Sequence, residues 1–543
     1  MENNESKVKK SIILSGLVGT GGMFIAKLIG IVYAIPFSTI LGSSTYMGIY
    51  GQAYNIYSYV LSVFTSGFPF AVATLVARYT VLDDNKTVLL VKKIALAGLT
   101  MMGFVGMIFL MAISGVIAPM MVAQDADVMA NAIRVLSLAV FLVPVLSSFR
   151  GFYQGLKEMG QYAFSQAFEQ LFRVGFLLSV CCIMVYVLKI ERQWALYASV
   201  LSTSVAAIAA ILQFVNFDQK ACKPIYKKAA QQKTPAQNQN KVIRQFVILA
   251  IPYMISAVFS YSQQIYNAIL LPIGLKMHSY TSAEITTIIS ATNYVGVKIT
   301  AIPLILGPGF TAAIIPHITE ALTKRDRPLI RKNILDCLNV VLFIGIPVSF
   351  CIYLFAGPIN YVLFYTDNLE ISTFVLSWLA LEGFLGTLYP VTSNLLMALQ
   401  LKKSCIRRLI IATILKGVVL VPLTAMLGFA GSVLASVVGD GYFILMTLFE
   451  LKGRYNIDYT KTMIVVARIM VAIFAMWLVS SLLNMLGLSA VSGSRIMAFF
   501  AMALNGIVSV AVFLGVSILL RIPQNVFHVE LDGLVNKVLR RGA

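Results

Sequence analysis

Long apolar runs, separated by short polar turns, follow one another along almost the whole chain. A run of about 20 apolar residues can cross the hydrocarbon layer as a helix, and a helix satisfies its own backbone groups where water is absent. Fourteen runs meet this condition and predict an all-α polytopic membrane protein. Their approximate spans are 11–41, 47–77, 93–118, 129–152, 162–188, 194–217, 244–273, 284–316, 333–356, 371–400, 408–428, 430–450, 462–485 and 494–520.

The longest polar interruption, residues 218–244, separates two halves with related sequences. The segment SGFPFAVATLVAR resembles LGPGFTAAIIPHI, so that Phe310 follows Phe70 at a distance of 240 residues. YQGLKEMG, from Tyr153, has a weaker counterpart 243 residues later in LMALQLKK, from Leu396. Two matches at nearly one spacing indicate a duplication, and the even number of crossings between them predicts parallel repeats. A chance similarity of two short apolar motifs is the alternative.

This pattern predicts two pseudo-symmetric six-helix lobes and an appended helix pair that has no copy in the first half. The five expected regions are an N-lobe at 1–217, a basic cytoplasmic linker at 218–243, a C-lobe at 244–455, helices thirteen and fourteen at 456–521, and an amphipathic cytoplasmic tail at 522–543.

The net charge of +20 follows the membrane topology rather than one binding face. With the N-terminus inside, most of the 42 Lys and Arg residues fall in the tails and alternate loops, and the outer loops hold only Lys189, Arg192, Lys276 and Arg495. This distribution is typical of cytoplasmic loops and predicts that both termini are cytoplasmic. Anionic phospholipids then suffice as partners of the loop cations, and nucleic acid is not expected.

Ionisable and polar side chains interrupt several predicted spans. A charge at bilayer depth is expensive, so it usually faces a water-filled interior. Glu169 and Arg173 are four residues apart with the acid first, the favourable order for an ion pair on one helix. Locally paired structural charges are the alternative, but a set of internal cations favours an aqueous cavity. The residues concerned are Lys27, Glu169, Arg173, Gln264, Asn267, Lys298, Glu382, Lys416 and Asp440.

Enzymatic chemistry has little support in the sequence. No GxxxxGK[ST] phosphate loop is present, and His278, His317 and His528 are too far apart for a metal-ligand spacing. The predicted outer loops leave no room for a catalytic domain. The sequence therefore favours a transporter without cofactor or metal. A non-transporting scaffold that recruits partners through its linker is the rival from another class, and the internal cations argue against it.

Three segments carry a family resemblance. They are AKLIGIVYAIPFSTILG in helix one, SGFPFAVATLVAR in helix two and, most specifically, RGFYQGLKEMGQYAFSQAFEQLFRV from Arg150 to Val174. Together they resemble the polysaccharide-transport branch of the multidrug/oligosaccharidyl-lipid/polysaccharide exporters, and within it the Gram-positive form of the MurJ-type lipid II flippases, with sporulation-type polysaccharide exporters close behind. The resemblance implies a monomer in the bacterial cytoplasmic membrane that flips an undecaprenyl-pyrophosphate-linked glycan by alternating access. It also implies a cationic cavity between the lobes and a lipid-tail groove formed by helices thirteen and fourteen.

The resemblance also implies roles for individual residues. Lys27 and Lys298 match the family's basic positions on helices one and eight and would bind the pyrophosphate, with Arg173 as a third candidate. Tyr33 stands where related flippases carry a second arginine. Capsule, teichoic or spore-envelope precursors, or an amphipathic drug, remain alternative substrates. The expected lining of the cavity consists of Tyr33, Glu169, Gln264 and Asn267.

Some relatives bind a sodium ion with acidic groups of helices seven, eleven and twelve. Here the matching places hold Asn267 and Lys416. The resemblance therefore implies a fixed ammonium in place of the metal ion, and coupling through Glu382, Lys416 and Asp440 instead of a sodium gradient.

Overall fold

The computed structural model describes residues 29–303 except 31 and 66, residues 318, 321 and 322, and residues 324–527 except 489, 490 and 492. These residues are almost all helical, and none of those described is in a β-strand. Two compact units are formed, one from Met1–Lys276 and Thr281–Tyr294, the other from Met277–Tyr280 and Val295–Ala543.

Up to residue 296, the chain forms twelve regular helices among the described residues, with wider π-helical turns at three places. The helices are α1 (Ala34–Leu41), α2 (Ser44–Thr65), α3 (Phe68–Val81), α4 (Asn85–Met121), α5 (Ala126–Gly155), α6 (Met159–Cys182), α7 (Arg192–Ala221), α8 (Lys223–Gln231), α9 (Gln239–Ser260), α10 (Ser262–Ile265), α11 (Leu271–Met277) and α12 (Ser282–Ser290). The π-helical turns of this part are Ile183–Val187, Tyr266–Leu270 and Ala291–Gly296.

The helices described after residue 324 belong to the second unit. They are α13 (Arg327–Leu354), α14 (Ala356–Leu363), α15 (Leu369–Ala398), α16 (Lys402–Leu427), α17 (Phe429–Tyr455), α18 (Thr460–Leu483), α19 (Arg495–Leu519) and α20 (Ile522–Phe527). A fourth π-helical turn, Asn484–Leu488, extends α18.

Twelve stretches of the described chain are long and apolar enough to cross a membrane. They coincide with predicted spans two to six and eight to fourteen, which confirms an all-α, multi-pass membrane protein. Most of the first predicted span, residues 11–28, lies outside the described residues, as do Phe310 and the rest of the second repeat motif except Ile318. The seventh predicted span is divided into α9, α10 and α11 by Tyr261 and a π-helical turn.

Glycines allow α5 to approach α3 closely in the first unit. A Cβ at Gly151 would lie 2.7 Å from the Pro69 carbonyl oxygen, and one at Gly155 would lie 2.7 Å from the Ala73 carbonyl oxygen. Small residues are commonly used in this way at membrane helix interfaces, because they let the two backbones meet. The GFYQG motif of α5 is therefore first of all a packing surface.

The polar stretch 218–244 is mostly helical. Helix α7 continues to Ala221, α8 occupies Lys223–Gln231, and α9 begins at Gln239, so only Cys222 and residues 232–238 lack helical structure. Asp218 accounts for the extension of α7 beyond its predicted end at residue 217. Its carboxylate is 2.5 Å from the Lys92 ammonium and accepts a hydrogen bond of 2.6 Å from the Tyr153 hydroxyl.

The non-helical part of this stretch is fastened to the first turn of α4. The Gln232 carboxamide accepts from the Lys86 backbone N–H at 3.0 Å and donates to the Asp84 carboxylate at 2.8 Å. The first N–H groups of a helix lack partners within the helix, so Gln232 completes the α4 terminus. Burial raises the pKa of Asp84, but hydrogen bonds from Thr87 and Gln232 outweigh it and hold that pKa below its ordinary value.

A buried polar network joins α18 to α19. The Asn505 side chain is fully buried, accepts hydrogen bonds from the hydroxyls of Ser480 and Ser509 at 3.0 Å each, and donates to Asn484 at 2.7 Å. Amide and hydroxyl groups inside a membrane bundle hold neighbouring helices together in this way.

Candidate functional site

A tight helical hairpin in the second unit positions Lys416. Helices α16 and α17 are joined by Gly428, whose φ of +62° suits a residue without a side chain. Farther from the turn, a Cβ at Gly439 would lie 2.6 Å from the Lys416 Cβ and 2.9 Å from the Ala412 carbonyl oxygen. The two helices are therefore in backbone contact beside Lys416.

Lys416 lies between two carboxylates. Its ammonium is 3.6 Å from an oxygen of Asp440 on α17 and 3.6 Å from an oxygen of Glu382 on α15. The lysine is only 5% exposed, and the Ser436 hydroxyl donates to Glu382 at 2.7 Å. The three residues proposed for coupling thus meet in one cluster. Because charges interact strongly in a low-dielectric interior, the gain or loss of one proton here would alter the attraction between three helices.

Lys298 lies on the helical residues 297–303, which pass next to this cluster. A Cβ at Gly383 would lie 3.6 Å from side-chain atoms of both Thr300 and Pro303. Gly383 directly follows Glu382, so the helix that carries Lys298 packs on α15 beside the acid. Lys298 itself is half-buried.

Arg173 of α6 lies among tyrosines in the first unit. Its guanidinium carbon is 5.6 Å from the ring centre of Tyr33 and 5.9 Å from that of Tyr54. The ring faces of tyrosines attract a cation without neutralising its charge. One Arg173 nitrogen is 3.5 Å from the Tyr33 hydroxyl, at the outer limit for a hydrogen bond, and the buried Nε has no hydrogen-bond partner.

The predicted ion pair between Glu169 and Arg173 is wrong. Glu169 accepts a hydrogen bond of 2.7 Å from Arg150, which also donates to Ser165 at 3.1 Å. The i,i+4 spacing considers one helix alone, whereas Arg150 reaches Glu169 from the neighbouring α5. A direct charge-assisted bond between helices is stronger than the few tenths of a kcal/mol of a pair along one helix. Arg173 consequently keeps its positive charge for another partner.

The tyrosine cluster extends beyond the residues that the sequence singled out. The hydroxyls of Tyr33 and Tyr50 are 3.0 Å apart, Tyr294 donates to the Ala34 carbonyl at 2.8 Å, and Asn55 donates to Asn293 at 2.8 Å. These contacts connect α1, α2 and the Ala291–Gly296 turn. A signal was present in YMGIYGQAYNIY, residues 46–57, where tyrosines recur every three or four residues and so share one helix face.

Of the remaining predicted site residues, Gln264 and Asn267 are among the described residues and Lys27 is not. Gln264 and Asn267 lie where α10 passes into a π-helical turn, a feature often found at functional sites. Asn267 accepts from Gln263 at 3.0 Å, and the buried Gln264 carboxamide oxygen has no hydrogen-bond partner. Lys27 lies outside the described residues.

An apolar groove of about 890 Å³ runs along the second unit. Its walls come from α13, α15 and α18, the last being predicted helix thirteen. The lining is largely apolar and includes five aromatic side chains, those of Phe350, Tyr353, Phe374, Trp378 and Phe384. Such a surface suits a hydrocarbon chain.

Comparisons with known proteins agree with this architecture. The chain is 28% identical to the lipid II flippase MurJ of Bacillus subtilis over 493 residues, 85% of this chain and 88% of that protein. It is 23% identical to stage V sporulation protein B of the same organism over 452 residues, covering 81% and 83% of the two chains.

Two solved structures share the fold. The inward closed conformation of the lipid II flippase MurJ superposes with a TM-score of 0.66 at 15% identity, covering 94% of this chain and 99% of that one. An inward-facing multidrug resistance MATE family transporter gives a TM-score of 0.62 at 16% identity, covering 79% and 94%. Residues 14–322, more than half of the chain, match the family described as polysaccharide biosynthesis protein. The chain therefore belongs to the polysaccharide biosynthesis protein family.

Proposed function

We propose that this protein is a flippase that moves an undecaprenyl-pyrophosphate-linked peptidoglycan precursor from the inner to the outer leaflet by alternating access. The observation that carries the proposal is the similarity to the Bacillus subtilis lipid II flippase along 88% of that protein. Arg173 adds a physical reason, since a guanidinium held by neutral rings retains its attraction for an anion. With the N-terminus inside, the basic loops lie on the cytoplasmic side.

The pyrophosphate would be bound by Lys27, Lys298 and Arg173. Ammonium and guanidinium groups form short, strong hydrogen bonds with phosphate oxygens, and neutralising the anion lowers the cost of its crossing. The polyprenyl tail would lie in the apolar groove of α13, α15 and α18, which makes helix thirteen one wall of the groove. Tyr33, Gln264 and Asn267 would contact the polar head.

Complementation of a flippase-depleted bacterial strain tests the assignment. Replacing Lys27 or Lys298 with alanine or glutamate should abolish growth while folded protein remains in the membrane. Lys276→Gln is a matched control, because this exposed lysine only donates to the Pro119 carbonyl. Normal growth of both the Lys27 and the Lys298 variants would refute the binding role.

Mass spectrometry of lipids that copurify with the protein identifies the substrate. A bound pyrophosphate lipid with a disaccharide and peptide supports the proposal. The similarity to stage V sporulation protein B favours a spore-envelope or other polysaccharide precursor as the second candidate. Recovery of such a glycan in place of the peptidoglycan precursor would decide for that alternative.

We propose that the cluster of Glu382, Lys416 and Asp440 couples the transport cycle to the membrane potential and to protons. A pyrophosphate with two negative charges moving outward gains about 4–5 kcal/mol per 100 mV if it crosses the whole field. The unloaded protein must then carry its cations back. Uptake of a proton by Glu382 or Asp440 would change the net charge of that step.

Flipping in proteoliposomes tests this coupling. Collapse of the membrane potential should stop flipping, removal of sodium should not, and Glu382→Gln should slow turnover more than it weakens binding. A requirement for a sodium gradient together with indifference to voltage would show that Lys416 does not replace a metal ion.

A further inference from the structure

A second cavity of the second unit has a different chemistry from the apolar groove. It measures about 530 Å³ and lies where α13 and α18 begin, closed on one side by α20. No residue assigned to transport lies in it. Most of its lining side chains are polar, namely Lys332, Asp336, Asn339, Lys461, Arg468, Gln524 and Asn525.

The charges of this cavity favour an anion. Among the described residues that line it, three are cations, Lys332, Lys461 and Arg468, and one is a carboxylate, Asp336, so these residues carry a formal excess of two positive charges. Arg468 uses one N–H to donate to the Leu520 carbonyl at 3.3 Å. A guanidinium has five N–H donors, so this bond fixes the side chain and leaves donors for a phosphate.

Buried amides add a requirement for hydroxyl groups. Asn339 is only 7% exposed, and its carboxamide oxygen has no hydrogen-bond partner. The carboxamide oxygen of Gln524, on α20, is likewise buried without a partner. A buried acceptor without a donor is costly, and a ligand hydroxyl would satisfy it. The ligand that fits therefore combines a phosphate with hydroxyl donors.

The edge of the cavity opens onto an apolar helix face. Ile464 lines the cavity and is 48% exposed, and Met463 and Val471 on the same helix are more exposed still. In a membrane this face of α18 contacts acyl chains. A ligand with its head in the cavity can therefore keep its tails in the bilayer.

We propose that this cavity binds the headgroup of an anionic glycerophospholipid such as phosphatidylglycerol. Its phosphodiester would contact the three cations, and its glycerol hydroxyls would donate to Asn339 and Gln524. Basic pockets between membrane helices on the cytoplasmic side bind lipid headgroups in this way, and with the N-terminus inside this lipid belongs to the inner leaflet. A cavity of about 530 Å³ accommodates a glycerophosphate but not the much larger disaccharide-peptide head of the proposed substrate.

Lipid titrations of the purified full-length protein, followed by native mass spectrometry, test the proposal. The probes are dioleoyl phosphatidylglycerol, dioleoyl phosphatidylcholine, dioleoyl phosphatidylmethanol and glycerophosphate without acyl chains. Phosphatidylglycerol should bind about tenfold more tightly than phosphatidylcholine, because each charge-assisted hydrogen bond is a strong one. The double variant Lys332→Gln/Lys461→Gln should lose this preference.

The control is Lys402→Gln/Lys452→Gln, which removes the same charge from exposed positions on α16 and α17. It should bind phosphatidylglycerol like the parent protein. Asn339→Leu should weaken the binding of phosphatidylglycerol. The binding of phosphatidylmethanol, which lacks the glycerol hydroxyls, should not change. If this core variant does not fold, Gln524→Leu tests the same contact.

Three outcomes would overturn the proposal. They are equal binding of phosphatidylglycerol and phosphatidylcholine, equal losses in the double variant and its control, and full-strength binding of glycerophosphate, which would indicate a site for free phosphate. Because the readout is phospholipid binding, these results are independent of whether the protein flips a glycan.

Discussion

Arg173 and Lys416 are both cations inside helices long and apolar enough to span a membrane, but their surroundings are opposite in kind. Arg173 is held by the rings of Tyr33 and Tyr54, whereas Lys416 lies 3.6 Å from each of two carboxylates. Neutral rings stabilise a cation without neutralising its charge, and Glu169, the acid whose charge acts on Arg173, is bonded to Arg150. Carboxylates compensate the charge locally.

This difference separates two kinds of function. An uncompensated cation attracts an anionic ligand, so Arg173 is suited to binding a pyrophosphate. A compensated cation is a poor anion site, but its removal leaves two part-buried carboxylates without their shared cation. Variants of the two residues should therefore fail in different ways, the first in binding and the second in stability.

Lys416→Met is the largest expected effect. Removing one partner of a buried ion pair costs about 3–5 kcal/mol of folding stability, and the side-chain exposures of 21% for Glu382 and 25% for Asp440 place the loss at the lower end. Thermal unfolding in detergent measures it. Adding Asp440→Asn should restore part of the stability, since it removes the carboxylate that lost its cation. A methionine variant as stable as the parent would show that the cluster is not a compensated charge.

Arg173→Gln should weaken binding of a pyrophosphate lipid by about tenfold or more, the value of one hydrogen bond to a charged group. The unfolding temperature should fall less than in Lys416→Met, because Glu169, the acid whose charge acts on Arg173, keeps its bond to Arg150. Isothermal titration with a short-chain polyprenyl pyrophosphate checks the first expectation. The control is Arg134→Gln, an exposed arginine bonded to Ser114 and Asn131. Loss of stability without loss of binding would place Arg173 in the same class as Lys416.

The smallest effect concerns how the rings hold Arg173. Tyr33→Phe keeps the ring face and should alter pyrophosphate affinity by less than about twofold. Tyr33→Leu removes the ring and should weaken binding by about fivefold, in line with roughly 1 kcal/mol for a cation–π contact. Equal losses in the two variants would mean that the hydroxyl, not the ring, positions the guanidinium.

Most of the helical architecture was predictable, because membrane spans obey a length rule that apolar runs display directly. Helix interruptions were partly predictable. Gly67 separates α2 from α3 where the sequence combines glycine and proline, but the π-helical turn Tyr266–Leu270 has no such marker. The length of α7 was missed because Asp218 reads as a polar linker residue until Lys92 and Tyr153 are known to surround it.

Pairing between helices was the harder part of the site. The spacing of Glu169 and Arg173 predicted a pair along α6, and Arg150 on α5 displaced it. The sequence does contain a marker for part of the Lys416 cluster. Lys416 precedes Gly428 by 12 residues and Asp440 follows it by 12, so a hairpin closed at Gly428 brings the two side chains opposite each other. Glu382 had no comparable marker, because its place depends on how α15 packs against this hairpin.

The amide network between α18 and α19 has a consequence for how the chain is made. Asn505 finds all of its observed partners on these two helices and their connecting turn. A buried carboxamide that enters the bilayer alone lacks hydrogen bonds, whereas this one can complete them as soon as α18 and α19 meet. The C-terminal pair can therefore leave the translocon as a finished hairpin, and its biosynthetic insertion need not wait for the rest of the protein to assemble.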